Sequence, residues 1–252
     1  MSLSIIIPVY NEEQNAIKTI NNLIKLKRYI RKFEIIFIDD FSNDNTFKKI
    51  KKISRKNYFI KVFKNKKKGL GSAIEVGIKK STHDFVSIFM SDSSDSISDL
   101  ISYYKIISKK NYDSVLGSRF LKKSKVKNYP LLKLILNRIF NNLVKFIFFS
   151  NYNDFTNAFK IYKRSVLLKL LPIVSENFNV FLEIPLKVIS RQYTYKIIPI
   201  NWRNRTVGRS NFKVKELSSL YIFTLIYCLI EKILLSKKKN NYRDIKSNEN
   251  KN

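Results

Sequence analysis

Ser4-Ile5-Ile6-Ile7-Pro8-Val9-Tyr10-Asn11-Glu12-Glu13 and Glu34-Ile35-Ile36-Phe37-Ile38-Asp39-Asp40 decide the fold. Each is a short apolar run that ends abruptly in polar and acidic side chains. Residues 3–9 are apolar almost throughout, which is the pattern of a parallel strand buried on both faces. Between the two runs, Ile17, Ile20, Leu23 and Ile24 recur at helical spacing. Asn11 is placed to cap that helix, and Glu12 and Glu13 fall in its first turn, where carboxylates suit the positive end of the helix dipole. Strand, helix and strand make a βαβ unit. Open α/β sheets bind ligands at the carboxyl ends of their strands. The expected site therefore lies at residues 8–12 and at Asp39-Asp40.

The same pattern repeats outward from this unit. Asp39-Asp40-Phe41-Ser42-Asn43-Asp44-Asn45-Thr46 is turn chemistry, followed by a basic helix near 46–56 and a strand over 58–63. Gly69-Leu70-Gly71-Ser72-Ala73 opens a helix over 70–80. Position 74 is isoleucine, so the third glycine of a dinucleotide-binding fingerprint is missing. The strand Phe85-Val86-Ser87-Ile88-Phe89-Met90 ends in Ser91-Asp92-Ser93-Ser94-Asp95. A helix near 97–109 leads to a strand over 112–116, which ends at Gly117-Ser118-Arg119-Phe120. Four functional-looking strand tips on one edge of one sheet are more than scattered loop polarity supplies.

The second half reads differently. Residues 131–149 predict a helix with Leu132, Ile135, Leu136, Ile139, Phe140, Leu143, Phe146 and Ile147 on one face, opposed by Lys133, Asn137, Asn141 and Lys145. A strand is expected over 195–203 and a second apolar helix over 216–235. Lys133, Arg138 and Lys145 interrupt the first helix. Glu231-Lys232 interrupts the second after about fourteen residues, short of the ~20 that span a bilayer. Interfacial helices with basic flanks fit this pattern. Buried core helices or an oligomer contact are the competing reading.

Composition narrows the partners. Lys and Arg number 49 against 19 Asp and Glu, a formal net charge of +30. Such a charge suits phosphate-bearing substrates, an anionic membrane surface or nucleic acid. Acidic strand tips repel a phosphate backbone, so no nucleic-acid partner is expected. A Lys/Asn/Ile-rich bias would spread the same charge over solvated faces, and spread lysines still attract anionic lipid by roughly 1 kcal/mol each. An apolar content of 44% argues against global disorder. The single cysteine, Cys228, excludes an internal disulfide and suits a reducing compartment. Met1-Ser2-Leu3 leads straight into a strand, so no leader peptide is expected.

Pro8-Val9-Tyr10-Asn11-Glu12, Ile38-Asp39-Asp40, Gly69-Leu70-Gly71, Gly117-Ser118-Arg119-Phe120, Asp154-Phe155-Thr156-Asn157-Ala158-Phe159-Lys160 and Arg205-Thr206-Val207-Gly208-Arg209-Ser210 occur in that order. Over residues 1–215 they resemble the family 2 inverting glycosyltransferases, and most narrowly the dolichyl/polyprenyl-phosphate mannosyl- and glucosyltransferase branch. The resemblance implies a GT-A fold: an α/β, Rossmann-like, mostly parallel sheet flanked by helices, here with C-terminal amphipathic helices. It divides the chain into a nucleotide-sugar half (1–125), an interface helix (126–150), an acceptor-side region (151–215), a C-terminal apolar helix (216–236) and an unstructured basic tail (237–252).

The implied activity moves a hexose from a GDP- or UDP-linked sugar to a polyprenyl or dolichyl phosphate. The protein would lie peripherally on the inner face of the cytoplasmic membrane. By the resemblance, Pro8, Tyr10, Glu12, Ile38, Asp39, Asp40 and Asp92 bind the nucleotide. Arg119, Lys133, Arg205 and Lys213 contact phosphate, and Asp92, Arg119 and Arg205 carry the chemistry. The family's Asp-x-Asp metal motif is altered here, leaving Asp92 and Asp95 as candidate ligands for Mg²⁺ or Mn²⁺. Asp95 could instead cap the following helix. Lys133 stands where the family has an arginine, keeping the charge without the bidentate fork. Asn211 stands where its Gly-x-Ser-Lys pattern has lysine, with Lys213 as a substitute.

The acceptor can be argued from chemistry. A sugar hydroxyl needs a general base, whereas a lipid phosphate is already anionic. Glu183 is the candidate base for a saccharide hydroxyl acceptor, the alternative reading, in surface polysaccharide or glycolipid synthesis. His83 lies in the loop before a strand, away from the expected tips.

Overall fold

The apolar runs form the strands they predict. The computed structural model describes residues 1–92, 94–204 and 214–249. The first half comprises β1 (Leu3–Val9), α1 (Glu13–Leu23), a 3₁₀ turn (Ile24–Arg28), β2 (Phe33–Asp39), α2 (Thr46–Ser54), β3 (Ile60–Lys64), α3 (Leu70–Lys80), β4 (Phe85–Ile88), α4 (Ile97–Lys109) and β5 (Ser114–Ser118). The second half adds β6 (Lys125–Lys127), α5 (Leu131–Ile147), β7 (Lys160–Lys163), α6 (Arg164–Leu170), α7 (Val180–Ser190), β8 (Tyr195–Pro199), β9 (Asn201–Arg203) and α8 (Val214–Glu249).

Among the described residues seven strands form one sheet in the order β3-β2-β1-β4-β7-β5-β8. β1 pairs in parallel with β2, placing Pro8 beside Ile38 and Val9 beside Asp39. Every residue of β1 and β2 is buried, as strands covered on both faces require. Ile5, Ile7, Ile35 and Phe37 pack with Ala16, Ile20, Ile50 and Leu100 of α1, α2 and α4. Ile6, Ile36 and Ile38 face the opposite way, against Ala73, Ile74 and Ile78 of α3 and the layer that includes α6, α7 and α8. Alternate residues of each strand thus serve two cores.

β7 is the antiparallel member, pairing Ile88 with Lys160 on one side and Leu116 with Lys160 on the other. Its direction matters. The segment 154–159 enters β7 at the edge where β1, β2, β4 and β5 end, which brings a fifth loop to the tips. The expected strand over 195–203 is instead two: β8 joins β5, and β9 pairs with β6 in a separate two-stranded sheet.

Three helix expectations change. Asn11 does not cap α1; its φ is 53°, and its side-chain oxygen accepts from the Asn43 N–H at 2.8 Å, while Glu12 takes the cap position without a side-chain bond. α8 runs on to Glu249, through the charged stretch whose composition suggests no structure. Residues Ser219–Ser236 of α8 are long and apolar enough to cross a membrane by length and composition. The Glu231-Lys232 pair does not break that run, because both side chains turn inward. Glu231 accepts from Arg191 Nε at 2.6 Å, and Lys232 donates to the Phe148 carbonyl at 2.7 Å.

α5 is turned the opposite way from a helix whose apolar face is its core face. Asn141 is fully buried, while Leu132 (70%), Ile139 (62%) and Phe146 (74%) stand exposed. The asparagines decide this. Asn141 Oδ1 accepts from the Phe155 N–H at 2.6 Å, and its amide donates to the Asn137 carbonyl at 2.8 Å. Asn137 in turn donates to Thr156 Oγ1 at 2.7 Å. A buried loop backbone must find hydrogen-bond partners, and leucine offers none. Phe140 and Ile147, at the border of the apolar face, pack partly on the core.

Candidate active site

Five loops converge on the carboxyl edge of the sheet. The first two are laced together. The Asp40 N–H donates to the Val9 carbonyl at 2.8 Å, and the Glu12 N–H donates to Thr46 Oγ1 at 3.0 Å. Phe41, like Asn11, has a left-handed φ, of 62°. Pro8 is buried in β1, and Tyr10 is half-buried at its tip with Lys68 Nζ 5.3 Å from its ring centroid. Glu12 is half-buried and accepts from the Asn15 amide.

The adjacent aspartates have different tasks. Asp40 accepts from the Gly69 N–H at 2.9 Å and from Asn65 Nδ2 at 2.8 Å, so it holds the turn that opens α3. Gly69 needs its φ of 135°, and a Cβ on Gly71 would lie 1.7 Å from the Ser175 carbonyl oxygen. Asp39 is 3% exposed, and its Oδ1 is enclosed without a hydrogen-bond partner among the described residues. A buried carboxylate oxygen left unpaired is costly, and hydroxyl or ring N–H donors would satisfy it. The Ile38 side chain belongs to the core against α3, beneath the tips.

The third tip holds Asp92 and Asp95. Asp92 Oδ1 accepts from the Ser94 N–H at 3.0 Å, and Asp95 Oδ2 accepts from the Met90 N–H at 3.1 Å. Asp95 is therefore not a helix cap; Ser96 holds that position on α4. Burial, and then the neighbouring Asp92 charge, push the Asp95 carboxyl up to about 8. Two hard oxygen donors that repel each other make a fitting seat for a divalent cation. No cluster of three or more His, Cys, Asp or Glu able to hold a metal occurs among the described residues. The remaining ligands would then come from a substrate's phosphates and water, the usual arrangement for Mg²⁺.

A pH dependence follows. In the folded protein the Asp95 carboxyl is pushed up to about 8, while in the unfolded chain it ionises near its ordinary value of 3.8. The folded state thus binds the extra proton in that interval, and the metal-free protein loses stability as pH rises through it. A cation must displace this proton. Mn²⁺ titrations at pH 6, 7 and 8 are expected to show affinity rising by up to roughly tenfold per unit and levelling above 8. Asp95→Asn is expected to flatten the profile.

The fourth and fifth loops meet in one ion pair. Arg119 Nε and Nη2 clasp the Asp154 carboxylate at 2.9 and 2.6 Å, and the Arg119 N–H donates to it at 2.8 Å. The guanidinium also lies 5.3, 5.5 and 5.6 Å from the ring centroids of Phe120, Tyr129 and Trp202. Asp154 engages this fork, and the pair orders the corner where the two loops meet. Lys133 is exposed on the first turn of α5. Arg205 and Lys213 lie outside the described residues.

Glu183 is not placed as a base. It is fully buried on α7, pairs with Lys187 at 2.5 Å, and accepts from the Val174 and Ser175 N–H groups at 3.0 and 2.7 Å. It fastens the loop that closes over Gly71. His83 donates its N–H to Ser4 Oγ at 3.2 Å, at the opposite edge of the sheet.

Two cations were not anticipated as parts of the site. Lys160 is 1% exposed and donates to the carbonyls of Phe155, Asn157 and Phe181, which fixes the loop carrying Asp154. Burial pushes its ammonium down to about 7, with the Asp154 charge opposing. Arg138 lies 4.4 Å over the Phe120 ring. Its sequence signal was a basic residue breaking an apolar helix, which does not distinguish a site residue from a solvated one.

This arrangement has relatives. A solved glucosyl-3-phosphoglycerate synthase from Mycobacterium tuberculosis, in complex with Mn²⁺, uridine diphosphate and glucosyl-3-phosphoglycerate, superposes with a TM-score of 0.68. It covers 90% of this chain and 80% of that one at 17% identity, and so shares the GT-A fold. A dolichol-phosphate mannosyltransferase from Pyrococcus furiosus is 27% identical over 86% of this chain. A poly-beta-1,6-N-acetyl-D-glucosamine synthase from Staphylococcus aureus is 34% identical over 46% of it. The chain spans only 61% and 27% of the lengths of these two relatives. The model of glycosyl transferase family 2 matches residues 4–171. About two thirds of the chain, with all five converging loops, falls within that match, and the protein belongs to glycosyl transferase family 2.

Proposed function

We propose that this glycosyltransferase moves a hexose from a nucleoside-diphosphate sugar to a polyprenyl phosphate, with inversion, at the cytoplasmic face of a membrane on which it lies peripherally. One observation carries the reading: α5 joins the reaction site to an apolar surface. Its inner face is hydrogen-bonded to Thr156, which lies 3.3 Å from Arg119 Nη2. Its outer face is a row of exposed leucine, isoleucine and phenylalanine. α8 extends that surface. Phe140 meets Tyr221, and Phe148 meets Lys232, so the two helices run side by side in the same direction. Ile222, Phe223, Ile226, Ile230 and Ile233 of α8 are exposed. Lys122, Lys123, Lys125 and Lys127, exposed just before α5, supply charge for anionic lipid.

The chemistry needs few groups. Asp39, with Tyr10 and Glu12, receives the base and ribose. Asp92 and Asp95 hold Mg²⁺ or Mn²⁺, which when bound neutralises the diphosphate and stabilises its departure. The phosphate of the acceptor is anionic at neutral pH and attacks the anomeric carbon without a base. The new phosphate–sugar bond forms as the bond to the leaving diphosphate breaks. The names of the P. furiosus relative and of the Mn²⁺–UDP complex support this assignment. A hydroxyl acceptor finds no support in Glu183, which is enclosed.

The test is a screen of GDP- and UDP-sugars with Mn²⁺ or Mg²⁺ and polyprenyl phosphate in detergent. A lipid-linked sugar from one donor is expected. Failure with every donor overturns the reading.

A further inference from the structure

The glycine turn that opens α3 is held from two sides. On one side it is tied to the adjacent aspartates. The Asn65 N–H donates to the Asp39 carbonyl at 2.8 Å, and the Gly69 N–H donates to Asp40 at 2.9 Å. Lys68 of the same turn lies over the Tyr10 ring. On the other side runs the segment 173–176. Its Glu176 carbonyl accepts from the Gly71 N–H at 3.0 Å, and its Ser175 carbonyl occupies the space that a Gly71 side chain would need.

Polar groups fasten that segment in turn. Glu75 accepts from the Ile173 N–H at 3.0 Å, and Glu183 accepts from the next two amides. A further hold comes from α8. Asn179 Nδ2 donates to Thr224 Oγ1 at 2.9 Å, and Ser175 Oγ lies 3.3 Å from the same oxygen. Thr224 Oγ1 donates its own proton to the Leu220 carbonyl at 2.9 Å, so Ser175 is the donor in its pair. The one proton and two lone pairs of the hydroxyl are all used.

Thr224 is an unusual residue for its place. It is 2% exposed, inside a run of α8 apolar enough to cross a membrane. Valine has nearly the same shape and would fill the space, so packing does not call for the hydroxyl. Its hydrogen bonds to the 173–179 region do.

We propose that Thr224 is a positioning residue for the donor. Through Ser175 and Asn179 it seats the 173–176 segment against Gly71, and so sets the turn that brings Lys68 to Tyr10. This rests on a nucleoside diphosphate binding at the strand tips and is independent of the acceptor. The helix that carries an exposed apolar strip on one face thus braces the donor turn with the other.

The full chain in detergent is titrated with GDP and UDP in the presence of Mn²⁺, and amide exchange is followed in the same samples. Thr224→Val is expected to weaken binding of the preferred nucleotide by about five- to tenfold, the scale of a lost hydrogen bond. Thr224→Ser is expected to stay within about twofold of the wild type, since it keeps the hydroxyl. Ser175→Ala, which leaves α8 unaltered, is expected to fall between them and carries the test where Thr224→Val does not fold. Amides 69–73 are expected to exchange faster in Thr224→Val while those of β1 keep their wild-type rates. Wild-type nucleotide affinity in both Thr224→Val and Ser175→Ala would overturn the proposal. So would exchange that accelerates uniformly along the chain, the mark of a residue that serves stability alone. A Thr224→Ser variant as weak as Thr224→Val, or a wild type that binds neither nucleotide, would overturn it as well. If no donor yields a lipid-linked sugar while Thr224-dependent nucleotide binding persists, the acceptor reading falls and the positioning role stands.

Discussion

Arg119→Ala is expected to cost about 3–5 kcal/mol of stability, the usual penalty for stripping one partner from a buried ion pair. The side chains of Arg119 and Asp154 are 8% and 0% exposed. Alanine would leave the Asp154 carboxylate charged, enclosed and without its fork. It would also remove cation–π contacts to Phe120, Tyr129 and Trp202, each worth about 0.5–1 kcal/mol. Urea unfolding is the measurement. The double change Arg119→Met with Asp154→Leu is expected to recover most of the loss, because it removes both charges together. An unaltered urea midpoint for Arg119→Ala, with transfer alone lost, would give Arg119 the role of a phosphate ligand.

That ion pair shows what the sequence carries. β1, β2 and the acidic tips were legible because a doubly covered strand is a nearly pure apolar run and its end is marked by turn residues. β7 was not. Lys160-Ile161-Tyr162-Lys163 is four residues long with lysine at both ends, and Lys160 is a core residue only because three carbonyls surround it. α7 was obscured as well, since Pro185 lies inside it. The period of α5 was legible, but it left the interfacial and the core reading open: periodicity defines two faces without saying which one turns inward. The hydrogen-bonding needs of the Phe155 and Thr156 segment settled that, and those needs arise only in three dimensions. The Arg119–Asp154 pair spans 35 residues, a separation at which charge pattern alone gives no pairing.

Asp92→Ala is expected to lower kcat/KM by about 10³-fold, or ~4 kcal/mol of transition-state stabilisation. The reasoning is electrostatic. In the proposed reaction the departing nucleoside diphosphate would gain charge beside Asp95, whose carboxyl is already pushed up by burial and by Asp92. Without a cation the site would repel the leaving group. With Asp92 removed, Asp95 alone would not retain the ion, and Mn²⁺ binding should fall with activity. Electron paramagnetic resonance of Mn²⁺ gives the first quantity and the donor screen the second. An active enzyme indifferent to Asp92→Ala would overturn the metal assignment.

The inward turn of Glu231 and Lys232 has a thermodynamic consequence. Both groups are partly withdrawn from water where α8 packs on the body of the protein, with Arg191 and the Phe148 carbonyl as their partners. The exposed outer strip of α8, Ile222, Phe223, Ile226, Ile230 and Ile233, is itself apolar, so covering it desolvates little charge. Contact through that strip should be nearly indifferent to ionic strength, whereas contact through the lysines ahead of α5 should weaken as salt screens it. On the proposed membrane reading the two surfaces would be attachments of different physical kind, and salt would separate them.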